Sequence, residues 1–294
     1  MKTYGILCFV LAIFMILTPL LSLDYSSFSF SNVKGTFQKE NDDGKTEEKL
    51  LDEKLDSVKV KSAASGNVAT TSTKEYIIGC VAAEMPATYS TEALKAQAIC
   101  AYTNLTRLKK NPDSSLSGAD ISDDPGRHQG YYDTETQKEK WGDKYDEYRG
   151  KIEDAVNDVL GKTIVFDGEP IVAAYCAISP GRTESAENIW GGKTDYLVSV
   201  TSPGDKLSPD CIKEISLTAD EVRNYTESDP EIALGDDQSG WITDIVYTDS
   251  GSGVVKSLKV GGKSFTGNSF RALFSLRSPA FTLEQKDGVF YFKT

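Results

Sequence analysis

A single histidine, His128, stands in a chain of 294 residues. That excludes a zinc centre built mainly from imidazoles, since a closed zinc site takes three or four protein ligands. Cysteine is sparse as well. Cys8 lies in an apolar run, too early to be a lipobox cysteine, and Cys80, Cys100, Cys176 and Cys211 complete the set. Outside the cytoplasm these four could pair, but a domain of this size does not need staples. Cys80 and Cys100 fall in apolar helical patterns, where a buried free thiol is the simpler reading. Basic residues are in deficit, 32 against 44 acidic ones, for a formal net charge of -12. Nucleic acid and anionic membrane surfaces would repel such a chain, so neither is expected as a partner. The calcium reading of "DISDDPG" also fails, because the later acidic ligand of such a loop is missing.

What the chain does contain is ordinary globular material, 39% hydrophobic and 26% charged. One long uncharged run, "YGILCFVLAIFMILTPLLSL" from Tyr4 to Leu23, has about the 20 residues needed to span a bilayer. No small-residue cleavage site follows it. The expectation is residues 1–3 in the cytoplasm, an uncleaved transmembrane signal anchor over 4–23, and everything beyond it extracytoplasmic on a single-pass cell-membrane protein; a cleaved signal peptide is the alternative. Residues 24–74 are polar and without period, the composition of a flexible stalk. The folded domain is then expected over 75–294.

Within it, Tyr76 to Met85 reads as a short apolar helix stopped by Pro86. Ser90 or Thr91 caps a second helix, and Leu94, Ala98, Ala101, Leu105 and Leu108 form its apolar face. A third helix is expected from about Lys138 to Leu160, with Gly161 as its C-cap. "KTIVFDGEPIVAAYC" reads as a hairpin turning at Asp167-Gly168. Past Cys211 come strand-like pieces, "WITDIVYTD", "VVKSLKVGG", "KSFTG" and "GVFYFKT", with a short helix at "NSFRALFSLRS". Helices mixed with antiparallel hairpins argue an α+β fold, expected here as two lobes around a cleft, preceded by the transmembrane helix.

The stretch "EYIIGCVAAEMPATYSTEALKAQAICAYT" sets one carboxylate, Glu84, against apolar residues and two positions ahead of a proline. On composition alone a helix-end glutamate is most simply solvated. The surrounding motifs argue otherwise. This stretch, followed by "ISDDPGRHQGYY", by the block from "WGDKYDEYRG" to "WGGKTDYLVSV", and by "FTGNSFRALFSLRSPAFTL", resembles the stage II sporulation protein D / LytB amidase-enhancer family. Several separated motifs occur in the family's order, from Glu75 to about Leu283.

The resemblance implies a membrane-anchored lytic transglycosylase that cuts peptidoglycan glycan strands stripped of stem peptides. It would serve forespore engulfment, together with a cell-wall amidase of the stage II sporulation protein P type. The alternative it implies is a non-catalytic amidase enhancer that grips glycan and stimulates or recruits the amidase. The family's catalytic glutamate maps to Glu84. Beside Ala82, Ala83 and Met85, burial would favour the neutral acid that protonates a leaving oxygen. Gln129 and Tyr131 match the family's Q-x-Y and are expected as sugar contacts. Ser179 and Thr183 match its S-x-G-x-T loop, and Tyr196 its P-Y-L tyrosine. Glu84 is expected to face Gln129, Ser179 and Thr183 across a cleft, while Trp190 reads as structural. No cofactor is expected; His128 and Cys176 are the only pair beside these loops from which a zinc site could start. Against the family pattern three departures are read: Tyr102 stands at the family arginine of A-A-R-T, Cys176 at a family histidine, and the sequence reaches "VFYFKT" where many members continue into a glycine-rich, histidine-bearing element.

Overall fold

The computed structural model describes residues 55–209 and 211–294. The described residues begin within the stretch expected as a stalk. β1 (Ser57–Lys61) and β2 (Val68–Ser72) form an antiparallel hairpin, and β3 (Ile121–Ser122) adds to the far edge of β1 in parallel. Val58 and Val60 alternate inward on β1, which gives this polar segment enough apolar surface to dock.

Ser72, the last residue of β2, caps α1 (Thr73–Glu84): its side chain accepts the N–H of Glu75. α1 is apolar on nearly every side, and accordingly Tyr76, Ile77, Ile78, Cys80 and Val81 are all buried. It stops at Glu84 because Met85 is driven to extended backbone ahead of Pro86. Ser90 caps α2 (Thr91–Lys110), with Glu92 in the first turn and Arg107, Lys109 and Lys110 in the last, each sign placed to suit the helix dipole. The third expected helix is in fact two. α3 (Thr134–Trp141) ends at Gly142, whose φ of 50° breaks the helical path; a 3-10 turn then leads into α4 (Tyr145–Val159). Leu94, Ala98, Leu105, Ile152 and Val156 pack against α1 as the first core.

β4 (Val165–Phe166) and β5 (Glu169–Pro170) close the expected hairpin, with Asp167 and Gly168 both at positive φ, as a type I′ turn requires. α5 (Ala186–Trp190) follows. The C-terminal part holds β6 (Glu214–Thr218), α6 (Ala219–Thr226), β7 (Ile242–Tyr247), β8 (Val255–Val260), β9 (Lys263–Thr266), α7 (Gly267–Leu273), β10 (Thr282–Lys286) and β11 (Val289–Lys293). They form two three-stranded antiparallel sheets, ordered β7-β8-β9 and β10-β11-β6. Between them lies a second, aromatic core. Phe270, Phe274, Phe281 and Phe292 meet at ring separations of 4.6 to 6.1 Å, and Trp241 stacks on Phe290.

The mixed helix and strand content matches expectation, but the membrane part does not. No helix among the described residues is long and apolar enough to cross a membrane. The spanning helix placed at Tyr4–Leu23 lies outside the described residues, and the single-pass membrane location inferred from it is corrected with it.

One carboxylate ties the loop ahead of α5 to the turn that follows β7. Glu184 Oε2 accepts hydrogen bonds of 2.6 Å from each of Thr248, Ser250 and Ser252, while its Oε1 accepts from Ser185 N–H and Asn188. Burial pushes this acid up, but the bonds from Ser250, Ser252, Thr248 and Asn188 outweigh it and hold it at about 2. A group depressed on folding contributes stability that is present above its ordinary range and lost as the pH falls towards its folded value. Glu184→Gln is therefore expected to lower stability at pH 7 by about 1.5–3 kcal/mol, the scale of hydrogen bonds to a charge. Urea titrations of both proteins should show that gap narrowing from about pH 4.5 towards pH 2; a constant gap would refute the role.

Candidate functional site

Glu84 is the last residue of α1, so its side chain leaves the helix where the first core ends. Its Oε1 accepts the N–H of Gly130 at 2.5 Å. The approach needs a residue without a side chain: a Cβ on Gly130 would lie 3.1 Å from that oxygen and 3.2 Å from the Ala83 methyl. The Tyr175 hydroxyl also interacts with the carboxylate. Burial and the Glu84 charge together push the Tyr175 phenol well above its ordinary range, so it stays a donor. The half-buried carboxylate faces a cavity of about 610 Å³.

The cavity wall opposite α1 is held by α2. Thr103 and Asn104 sit together in "YTNL" and pin both arms of the β4–β5 hairpin. Thr103 Oγ1 accepts the N–H of Ile164 at 3.0 Å. The Asn104 side-chain amide pairs with Ala173 in both directions, donating to its carbonyl at 3.1 Å and accepting its N–H at 3.0 Å. Tyr196 completes the attachment: its hydroxyl accepts the Val172 N–H at 3.0 Å and its ring packs on Phe166. These contacts fix the segment that carries Tyr175. The next helical positions on this side of α2, Arg107 and Leu108, also line the cavity. Trp190 reaches it from the end of α5 and is 64% exposed.

The predicted site residues divide. Glu84, Gln129 and His128 line the cavity. Gln129 is buried, its Nε2 donating to the Tyr76 hydroxyl at 2.8 Å and to the Ala101 carbonyl, while its Oε1 has no partner. His128 Nδ1 accepts the Ser122 N–H at 3.3 Å, and burial, with Arg127 beside it, lowers its proton affinity. Tyr131 does not line the cavity; its ring stacks on Tyr76, 5.4 Å between centroids, over Gly79. Ser179 and Thr183 do not line it either. Ser179 gives both its N–H and its hydroxyl to Asp205, and Thr183 exchanges bonds with Val200. Tyr196 stands behind the wall. Cys176 is exposed and absent from the lining, and no group of three or more His, Cys, Asp or Glu among the described residues is placed to hold a metal.

Tyr102, at the family arginine position, is buried in the first core. Asn104, Arg107 and Tyr175 were not singled out in the sequence, and Trp190 was taken as structural. No spacing signal marks them: Asn104 and Arg107 are half-buried polar residues three apart on α2, as on any solvated helix face.

The close packing of Tyr131 gives a test of this framework. A Cβ at Gly79 would meet the Tyr131 ring and come within 2.6 Å of the Tyr132 carbonyl oxygen. Gly79→Ala is expected to cost about 1–3 kcal/mol by overpacking, read as a lower urea midpoint. An unchanged midpoint would show that the Tyr131–Tyr132 segment is free to shift.

Comparison with known proteins bears on the same segment. The family model described as "Stage II sporulation protein" matches residues 61–166, a range that contains Glu84, α2 and the loop from Ile121 to Gly130. The chain is 34% identical over 226 residues to stage II sporulation protein D of Bacillus subtilis, covering 76% of this chain and 64% of that protein, just under two thirds of its length. To the Bacillus amyloliquefaciens protein of the same name it is 33% identical over 242 residues, covering 82% of this chain and 68% of the relative. A shorter match, 29% over 124 residues, links it to the amidase enhancer of Bacillus subtilis, covering 41% of this chain and 14% of that protein. With 33% identity to a stage II sporulation protein D of which it covers 68%, and Glu84 within the matched segment, the chain belongs to the stage II sporulation protein D family.

Proposed function

We propose that this protein is a lytic transglycosylase acting on peptidoglycan glycan strands freed of their stem peptides, with Glu84 as general acid and then general base. The observation that carries the reading is the Glu84 carboxylate at the edge of a buried helix, facing a cavity of about 610 Å³ and met by the Gly130 N–H and the Tyr175 hydroxyl. A hydrolase of the ordinary kind needs a second carboxylate, and among the described residues Glu84 is the only acidic one that lines this cavity. A transglycosylase needs one. The protonated acid gives its proton to the glycosidic oxygen as the bond to C1 breaks. The carboxylate left behind takes the proton of the sugar's 6-hydroxyl as that oxygen bonds to C1, closing a 1,6-anhydro ring without water.

The surroundings suit a sugar. Trp190 offers an exposed indole face on which a sugar ring can stack. A role in sporulation follows from the names of the relatives, and an amidase that removes stem peptides, of the stage II sporulation protein P type, is the partner such a substrate calls for. One observation favours the second reading, a glycan-gripping amidase enhancer: Ser179 and Thr183 are bound into a loop that does not line the cavity.

The two readings separate in one experiment. The full chain and its Glu84→Gln variant are incubated with amidase-treated peptidoglycan, and 1,6-anhydro-muramic ends are counted by mass spectrometry. Transglycosylation predicts such ends from the wild type and a loss of about 10²–10⁴-fold in the variant. Tyr175→Phe should lose about tenfold, the scale of one hydrogen bond. Glycan retained equally by wild type and Glu84→Gln, with no anhydro ends from either, would establish the enhancer instead.

A further inference from the structure

Arg107 is a half-buried guanidinium with no acidic partner and no side-chain hydrogen bond among the described residues, and it lines the same cavity as Glu84. The other titratable groups of that wall are answered. Arg127 is paired with Asp113 at 2.5 Å and also bonded to Ser115. His128 is held towards the neutral form by burial and by Arg127 beside it. Glu84 is met by Gly130 and Tyr175. In a chain with 44 acidic against 32 basic residues, an arginine left unpaired in a cavity is a departure that asks for a ligand. Burying part of a guanidinium costs solvation, and that cost is recovered only when an anion arrives.

The shape of the group narrows the anion. A guanidinium presents parallel N–H donors that match the two oxygens of a carboxylate. Arg107 is anchored on α2 one turn beyond Asn104, whose two bonds to Ala173 hold the facing wall, so its charge is carried on a rigid element. A glycan strand that has lost its stem peptides carries one new carboxylate per muramic residue, where the lactyl ether was formerly joined to the peptide as a neutral amide. We propose that Arg107 is a specificity-determining residue that reads this free lactyl carboxylate and so distinguishes stripped strands from strands still bearing peptide. This rests on the glycan reading of the cavity.

The test uses one glycan in two charge states. Stripped strands are prepared by amidase digestion, and half are converted to the methylamide with methylamine and a carbodiimide, which neutralises the carboxylate without altering the sugars. Binding of the full chain to each is measured by sedimentation at low salt. The wild type is expected to hold the carboxylate strand at least about tenfold more tightly, as a charged hydrogen-bonded pair implies. Arg107→Gln should bring the two strands level, and Arg107→Lys should keep only part of the preference, with the unfolding midpoint confirming that each variant is folded. Equal binding of both strands by the wild type, or a preference that survives in Arg107→Gln, would overturn the assignment while leaving the glycan cleft standing. No binding of either strand by the wild type would remove the glycan reading itself, and the role of Arg107 with it.

Discussion

The hydrogen bond from Gly130 N–H to Glu84 joins residues 46 apart in sequence, and the geometry of the cavity depends on it. A carboxylate at the end of an apolar helix would otherwise swing out to water, since nothing in α1 itself answers its charge. Two local rules bring the partners together. Pro86 ends the helix at Glu84, and the missing side chain at Gly130 lets a backbone donor approach within bonding distance. The packing of Tyr131 over Gly79 then fixes the segment that carries Gly130, so a second glycine, on the helix, supports the first. The acid is held by backbone and by core packing rather than by a flexible ion pair.

Much of this was legible in the sequence because it follows from local chemistry. The end of α1, the Ser90 cap of α2 and the Asp167-Gly168 turn are each set by two or three neighbouring residues. The break at Gly142 was missed because helical spacing continues on both sides of it; only the positive φ reveals it. The β1–β2 hairpin was missed because two valines on β1 suffice to dock it, too few to register against a polar background.

The site residues show the same division. Glu84 and Gln129 were placed by motif, and both line the cavity. Asn104, Arg107 and Tyr175 depend on how a hairpin packs against a helix, a contact that no spacing within one segment encodes. Ser179, Thr183 and Tyr196 were read as ligand contacts, whereas here they bond within the protein: Ser179 to the Asp205 carboxylate, Thr183 to the Val200 backbone, and Tyr196 to the Val172 N–H. Their polar groups are used within the protein, which is the usual fate of half-buried hydroxyls near a site. Glu184 takes this furthest, gathering three hydroxyls on one oxygen so that a charge is stabilised by dipoles alone.

The exposure of Trp190 has an optical consequence. The chain has three tryptophans; Trp241 is buried against Phe290, and Trp141 is partly covered by Tyr145 and Tyr148. Trp190 alone stands largely in water at the cavity, at the end of a five-residue helix whose Ile189 carbonyl is held by Asn268. Its emission therefore lies to the red of the other two and is open to a dissolved quencher such as iodide. Any molecule that settles over that indole shields it, so the protein carries its own fluorescent gauge of whether the cleft is filled.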